Sequence, residues 1–183
     1  MPFRNLIAAL GVLAAVLAPA AVAQAHPQTP PLAPAVVRPV GPDADFLIAA
    51  HQANLAQIKI GKLAGRKAAG TPVRDLGREF ASYHRKLDVS VRKAAAAMDV
   101  NLPSTPNSEQ KTLIAQYRAA SGAEFDTLFV STQLAAHELA LKLAKIVLAT
   151  GTEPAVRKIV TSAIPVVEQH QAALHKISDH SHR

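Results

Sequence analysis

Cysteine and tryptophan are absent from the 183-residue sequence, and its aromatic side chains are limited to five Phe and two Tyr. The absence of cysteine excludes disulfide bonds, thiolate metal ligands and a cysteine nucleophile. The few aromatic residues are not interleaved with a basic patch, as binding of single-stranded nucleic acid requires. We therefore expect no nucleic-acid partner, in spite of a formal net charge of +7.

Long hydrophobic runs are also missing, except at the N-terminus. Arg4 precedes an apolar run from Leu6 to Leu17, and two small-x-small cleavage sites follow, ending at Ala23 and Ala25. The run is too short for a membrane span, so a cleaved secretory signal peptide over residues 1–25 is favoured over a membrane anchor. The sequence thus predicts a periplasmic or secreted protein without a transmembrane segment after cleavage.

The positive charge remains after this cleavage, because removal of Arg4 changes the net charge only from +7 to +6. A basic protein outside the cytoplasm meets anionic lipid and polysaccharide first, so an anionic envelope surface is a candidate partner. The scattered Lys and Arg residues are equally consistent with an ordinary solvated surface.

Proline is concentrated in residues 26–42, which predicts a stiff leader that does not belong to the folded core. Helical periodicity then continues from residue 43 to about residue 179, and residues 180–183 form a tail that contains histidine. This division gives a signal peptide, a leader, one helical domain and a short tail.

The periodicity predicts four long helices and one short helix, at about 43–69, 71–100, 108–120, 121–150 and 152–178. Asp43 and Thr71 are the expected N-caps of the first two, and Ser121 to Glu124 has the pattern of a capping box. Very short connections require the first and second helices, and the fourth and fifth, to be antiparallel neighbours. We expect an all-α, up-down-up-down four-helix bundle with the short helix in its crossover.

Each long helix has an apolar stripe with steps of three and four residues, and each stripe contains one polar residue near its middle. The stripes run from Phe46 to Ala64, from Val73 to Met98, from Val130 through Leu134 to Leu148, and from Val156 to Ile177. Their polar members are Gln57, His84, His137 and His170. A rise of 1.5 Å per residue places these four within roughly 6 Å of a common level.

A buried polar layer needs partners, because an unpaired buried polar group costs about 1–3 kcal/mol. Three imidazoles, with the Gln57 oxygen or a water as fourth ligand, suit Zn(II) or Cu(II). A hydrogen-bonded layer with buried waters that sets the helix register is the competing interpretation. A di-iron centre is disfavoured, since the residues three positions before the histidines, Ala81, Leu134 and Val167, are not glutamates.

Three residues beside this layer, Tyr83, Glu138 and Glu168, are candidates to orient metal ligands, although the two glutamates are equally explained as solvent-facing charges. His51 lies about 120° around its helix from Gln57. We interpret His51 as a flanking residue and not as a ligand.

Histidines near the termini form a second set of metal candidates. Signal cleavage leaves either Gln24 or His26 as the first residue. In both cases His26 lies at or near the terminal amine, and the two groups together can chelate Cu(II). His180 and His182 belong to the C-terminal tail, where labile metal binding competes with the simpler interpretation of a disordered polar end.

Several segments also carry a family resemblance: Ile60–Ala64, Val73–Pro103 with His84, Ser121–Asp126 followed by His137, and Ile164–His170. Through them the chain resembles, from about Asp45 to Ile177, the bacterial family named domain of unknown function 4142, often labelled outer-membrane proteins. The resemblance implies a ferritin-like helical bundle outside the cytoplasm, with no established activity.

Two positions depart from the pattern of that family, which usually has Glu where this chain has Gln57 and an acidic residue where it has Tyr83. If the family shares a metal site, the resemblance implies that this chain has fewer carboxylate groups at it. Such a site would bind a hard cation less tightly.

Three functions remain as hypotheses. The first is an extracytoplasmic bundle that binds or buffers a transition metal through the three mid-helix histidines and Gln57. The second is a non-catalytic envelope or stress protein whose basic surface contacts anionic lipid or polysaccharide, with a purely structural polar layer. An enzyme ranks last, because no activated nucleophile or paired acid and base is visible.

Overall fold

The computed structural model describes residues 41–181, and within this range it is all-helical, with no strand. The five helices are α1 (Pro42–Lys67), α2 (Thr71–Ala97), α3 (Ser108–Ala119), α4 (Gly122–Thr150) and α5 (Pro154–Ser181). They agree with the predicted helices to within a few residues at each end. None of the helices in this range is long and apolar enough to cross a membrane.

Helix starts follow local sequence signals, although not always the expected ones. The predicted capping box at Ser121 is wrong, because the Ser121 side chain makes no capping hydrogen bond. A capping box is found instead at α3, where Asn107 and Gln110 each accept a hydrogen bond from the backbone amide of the other. Thr71 and Asp43 are also not N-caps, since they lie inside the first turns of α2 and α1.

The four long helices pack as two antiparallel pairs, α1 with α2 and α4 with α5, and the pairs meet through α2–α5 and α1–α4 contacts. Asp126, near the start of α4, accepts hydrogen bonds from the backbone amides of Ala69 and Gly70 in the α1–α2 connection, at 3.1 and 2.7 Å. At the opposite end, Asp43 of α1 accepts a hydrogen bond of 2.9 Å from the amide of Thr152 in the α4–α5 connection. Helix α4 therefore begins where α1 ends and runs antiparallel to it.

The predicted up-down-up-down order is consequently wrong, since α1, α2, α4 and α5 run up-down-down-up. Residues 98–121, which include α3, carry the chain back along the length of the long helices before α4 begins. The short connections constrain the direction only within each pair, so the relative direction of the two pairs could not be derived from them.

Helices α1 and α2 approach closely at a crossing between two glycines. A Cβ atom on Gly61 of α1 would overlap the carbonyl oxygen of Gly77, and a Cβ atom on Gly77 of α2 would overlap the Cβ of Ala64. The absence of side chains at both positions is what allows the two backbones to pack this tightly.

Two apolar clusters occupy opposite ends of the helix assembly. One contains the aromatic residues Phe80, Tyr117, Phe125 and Phe129 with their aliphatic neighbours, and the other is built from smaller residues such as Leu47, Val91, Val147, Val156 and Val160. Buried polar side chains on all four long helices lie at sequence positions between these clusters: His51, Asn54, Asp88, Gln133, His137 and His170. The candidate site is this polar layer together with the half-buried His84 and Gln57 at the same level.

Candidate metal centre in the polar layer

His137 of α4 and His170 of α5 form a direct pair. Both are buried, with 3% and 1% of their surface exposed, and Nε2 of His137 lies 3.3 Å from Nδ1 of His170. Their ring centroids are 5.4 Å apart and the rings are nearly perpendicular. The ring of Phe80 on α2 packs against both, with centroid distances of 4.8 and 4.4 Å, and so holds the two imidazoles in place.

His84 of α2 lies beside this pair without contacting it through a hydrogen bond. Its Nδ1 is 2.8 Å from Oδ1 of Asn54 on α1, a residue that is 2% exposed. Because an amide oxygen only accepts, Nδ1 of His84 carries the hydrogen and Nε2 presents a lone pair. That Nε2 atom is buried and has no hydrogen-bond partner among the described residues.

The tautomer of His137 is determined in the same way. Its Nδ1 lies 2.8 Å from the backbone carbonyl oxygen of Gln133, one turn earlier in α4, and donates to it. The Nε2 atom of His137 therefore presents its lone pair to His170.

His170 cannot satisfy both of its neighbours as a neutral ring. Its Nε2 faces a carboxylate oxygen of Glu79 at 3.6 Å, and its Nδ1 faces the lone pair of His137 at 3.3 Å. A hydrogen on Nε2 leaves two nitrogen lone pairs facing each other, whereas a hydrogen on Nδ1 completes the 3.3 Å hydrogen bond to His137 and leaves Nε2 without a hydrogen-bond partner beside a carboxylate. A cation between His137 and His170 would remove this conflict.

Burial keeps the three imidazoles neutral. It lowers the pKa of His84 to about 3, an effect that positive charge on His137 or His170 would reinforce. Burial likewise lowers the pKa of His137 to about 4, in spite of its hydrogen bond to the Gln133 carbonyl, and lowers the pKa of His170 to about 4. All three therefore remain uncharged nitrogen donors well below neutral pH.

The other predicted members of the site differ in their placement. Gln57 lines the same internal cavity as His84 and His137, and its Oε1 has no partner within residues 41–181. Tyr83 contacts His84 and His170 through its ring, at centroid distances of 5.5 and 5.4 Å, and burial raises the pKa of its hydroxyl. The residues of the layer are thus neighbours, but no three His, Cys, Asp or Glu side chains of the described chain converge as a ready metal cluster.

The two candidate glutamates face away from the histidines. Glu138 and Glu168 are exposed, and the Glu138 carboxylate binds Nζ of Lys142 at 2.6 Å. Their solvent-facing interpretation therefore describes them better than a role beside the ring nitrogens. The carboxylate that faces a mid-helix histidine belongs to Glu79, which the sequence pattern did not indicate because it lies outside the apolar stripe.

His51 is buried, which the flanking interpretation did not anticipate. Its Nδ1 lies 2.6 Å from Oδ1 of Asp88 on α2, and Oδ2 of Asp88 lies 3.2 Å from Nε of Arg92. His51 and Asp88 are each 6% exposed. This pair links α1 to α2, and both of its carboxylate oxygens are already engaged by protein groups.

Of the terminal histidines, only His180 lies within the described residues. It is exposed on the last turn of α5, which extends beyond the predicted end of this helix, and its Nδ1 lies 2.6 Å from the carbonyl oxygen of Lys176. His26 and His182 lie outside the described residues.

Gln133 and Asn54 are the functional candidates that the sequence pattern missed. Gln133 is fully buried and Asn54 nearly so, whereas the predicted stripes ran through their neighbours Leu134 and Ala53. Both lie one turn from a residue of the layer, and that spacing was the available signal: Asn54 precedes Gln57 by three residues and Gln133 precedes His137 by four.

Comparison with known protein families identifies the family of this chain. A family model described as domain of unknown function DUF4142 matches residues 23–177. The chain belongs to this family. The match covers α1 to α4 and most of α5, so the histidine layer lies inside the family domain, and it confirms the resemblance drawn from the sequence segments. No curated protein and no solved structure matches the chain.

Proposed function

We propose that this protein is an extracytoplasmic, ferritin-like four-helix bundle that binds or buffers a transition metal through His137, His170 and His84, with Gln57 as a fourth, neutral ligand. The antiparallel packing of the four long helices supports the ferritin-like classification. The N-terminal pattern of Arg4 and the apolar run supports export.

The observation that carries the metal proposal is the spacing of the His137 and His170 nitrogens. Two ligands at about 2.0–2.1 Å from a tetrahedral metal are about 3.3–3.4 Å apart, and Nε2 of His137 lies 3.3 Å from Nδ1 of His170. The same separation is also within reach of an N–H···N hydrogen bond, which is the arrangement of the competing structural interpretation. A metal ion bridging the two lone pairs would satisfy both rings at once.

The second nitrogen of each ring, the one that would not bind the metal, supports the same conclusion. Histidine ligands usually donate their second ring nitrogen to a carbonyl or carboxylate oxygen, which orients the ring toward the metal. Such oxygens accompany all three rings: Asn54 Oδ1 for His84, the Gln133 carbonyl for His137 and, at a longer 3.6 Å, Glu79 for His170. For His84 to be the third ligand, its ring must shift toward His137 and His170.

The donor set favours Zn(II) or Cu(II). Neutral imidazoles and an amide oxygen suit borderline cations, whereas a di-iron centre needs several carboxylates. Within residues 41–181, the carboxylate that faces a histidine of the layer outside the His51 pair is that of Glu79, which is half exposed and lies near Nε2 of His170.

Metal content measures this proposal directly. Replacing His26, His180 and His182 by Ala in the mature protein removes metal chelation at the termini. This triple variant serves as the background. We expect this background to retain roughly one Zn(II) or Cu(II) per chain, and the added pair His137→Ala and His170→Ala to lose it. His175→Ala, an exposed histidine on the same helix as His170, is the matched control and should retain the metal.

Equal metal content in the background and in the His137→Ala/His170→Ala protein would refute the proposal. The layer would then be a hydrogen-bonded structural feature of the core.

A further inference from the structure

An internal cavity of about 270 Å³ lies between the long helices, next to the histidine layer. Much of its wall consists of alanines, including Ala50 and Ala53 of α1, Ala140 and Ala144 of α4, and Ala163 of α5. Protein cores normally fill such positions with larger side chains, because close packing stabilises the fold. Ala140 is also exposed, so the cavity has a route to the surface.

The cavity is elongated along the helices. On α1 its wall extends from Phe46 to Ile60, a distance of about 21 Å at 1.5 Å per residue. On α4 the wall extends from Gln133 to Ala144, which corresponds to about 17 Å. A narrow space of this length matches an alkyl chain better than a compact ring.

One end of the cavity is polar and the other is apolar. Asn54, Gln57, His84, Gln133 and His137 cluster at the level of the layer, whereas the end toward the α4–α5 connection is apolar. No charged side chain of the described residues lines the cavity. An ionised head group would therefore be buried without a counter-ion, which is strongly unfavourable.

The polar end contains buried groups that need partners. Gln133 is fully buried and Asn54 is 2% exposed. Oε1 of Gln133, Nδ2 of Asn54, Oε1 of Gln57 and Nε2 of His84 all lack a hydrogen-bond partner in the described part of the chain. Three of these atoms accept hydrogen bonds and one donates, so a group that both donates and accepts fits them.

We propose that this cavity binds a medium-chain alkyl compound with a neutral hydroxyl head, the head lying among Gln133, Gln57 and Asn54 and the chain among the alanines. An apolar cavity of about 150 Å³ accommodates the six carbon atoms of benzene. By that proportion 270 Å³ accommodates about ten or eleven heavy atoms, which is the size of decan-1-ol and leaves room for the slightly smaller octan-1-ol.

Alkanol binding needs no metal, but the site shares Gln57 and His84 with the proposed metal centre, so its test uses metal-free protein kept in EDTA. Octan-1-ol is titrated by isothermal calorimetry, and binding is localised by NMR with ¹³C-labelled octan-1-ol through contacts to the alanine methyl groups. We expect saturable binding by the full mature chain. Octanoate at neutral pH should bind at least tenfold more weakly, because its charged head finds no cation in the wall.

Variants that fill the space provide the structural test. Ala163→Leu and, independently, Ala53→Leu should each weaken octan-1-ol binding at least tenfold, and the second variant keeps the test intact if the first fails to fold. Ala172→Leu, an exposed position on the same helix as Ala163, is the matched control and should bind like the native chain.

Gln133→Leu tests the head position. It should weaken octan-1-ol binding, because the hydroxyl loses the Gln133 oxygen as a partner, and Gln169→Leu, an exposed glutamine, should not. Absence of octan-1-ol binding up to its solubility limit, or equal binding in both filled variants and the native chain, would overturn the proposal and leave buried water as the occupant.

Discussion

Three histidine rings between the helices each donate a hydrogen bond to a specific acceptor. Asn54 accepts from His84, the Gln133 carbonyl accepts from His137, and Asp88 accepts from His51. Each bond removes one unpaired donor from the core and orients one imidazole ring. The consequences of single substitutions therefore depend on whether the partner that remains is left buried and unpaired.

Asp88→Ala is expected to lower the free energy of unfolding by about 3 kcal/mol. The substitution leaves the buried His51 Nδ1–H without its acceptor and removes the contact to Arg92. Urea unfolding at neutral pH measures the change. Asp75→Ala on the same helix is the control, because the exposed Asp75–Arg78 pair contributes less than about 1 kcal/mol. Equal effects of the two substitutions would mean that the His51–Asp88 pair is not stabilising.

Individual site residues were only partly predictable from the sequence. His84, His137 and His170 interrupt apolar stripes, so the 3.6-residue period indicates them. Asn54, Gln133 and Glu79 are polar residues beside positions that fit the stripe equally well, and a shift of one residue on a helix changes which side chain is buried. Their assignment requires knowledge of which face each helix presents, and that depends on packing with the other helices.

The α1–α2 pair shows how an element depends on side-chain size. Its crossing brings Gly61 against Gly77, and the Gly61–Lys62–Leu63–Ala64 segment contains two of the contacting residues. The contact leaves no space for even one methyl group on either glycine.

Gly61→Ala is expected to destabilise the protein by about 3 kcal/mol, because the new Cβ atom overlaps the backbone of α2 and must push the helices apart. Thermal and urea unfolding measure the change. Gly65→Ala, one turn later on the same helix, meets only the Arg78 side chain at 3.5 Å. It should be neutral or stabilise by up to about 1 kcal/mol through helix propensity. An unchanged free energy of unfolding in Gly61→Ala protein would contradict the close crossing.

Helix existence and bounds were predictable, whereas helix direction was not. Pro72 and Pro154 lie in first turns, and Gly70 and Gly151 separate neighbouring helices, so local backbone chemistry marks these ends. The direction of α4 depends on the path of residues 98–121, which connect it to α2. Asp126 and Asp43 anchor that direction through hydrogen bonds to distant connections, which local sequence patterns do not reveal.

At the scale of the whole molecule, a layer of neutral histidines between two apolar clusters makes stability depend on pH. The pKa of an unfolded histidine is about 6.5, whereas burial lowers the pKa to about 3 for His84 and about 4 for His137 and His170. Between these values the unfolded chain binds more protons than the folded chain. The stabilising contribution is therefore fully present above pH 6.5 and is lost as the pH falls toward 4.

We expect the metal-free protein to lose about 2 kcal/mol of unfolding free energy per buried histidine between pH 7 and pH 5. Urea unfolding across this range measures the loss. His137→Gln should reduce this loss by the contribution of about one histidine. His175→Gln, at an exposed position, should not change it. An unfolding free energy that stays constant from pH 7 to pH 5 would contradict the burial of neutral imidazoles.

In the proposed metal centre, His137, His170 and His84 gather around one metal ion. X-ray absorption at the zinc edge, on protein with the three terminal histidines replaced and one equivalent of Zn(II) added, counts the ligands directly. We expect three imidazole nitrogens at about 2.0–2.1 Å and one oxygen, with the imidazole count reduced in His137→Ala/His170→Ala protein. A first shell of oxygen alone, or an unchanged spectrum in that variant, would contradict it.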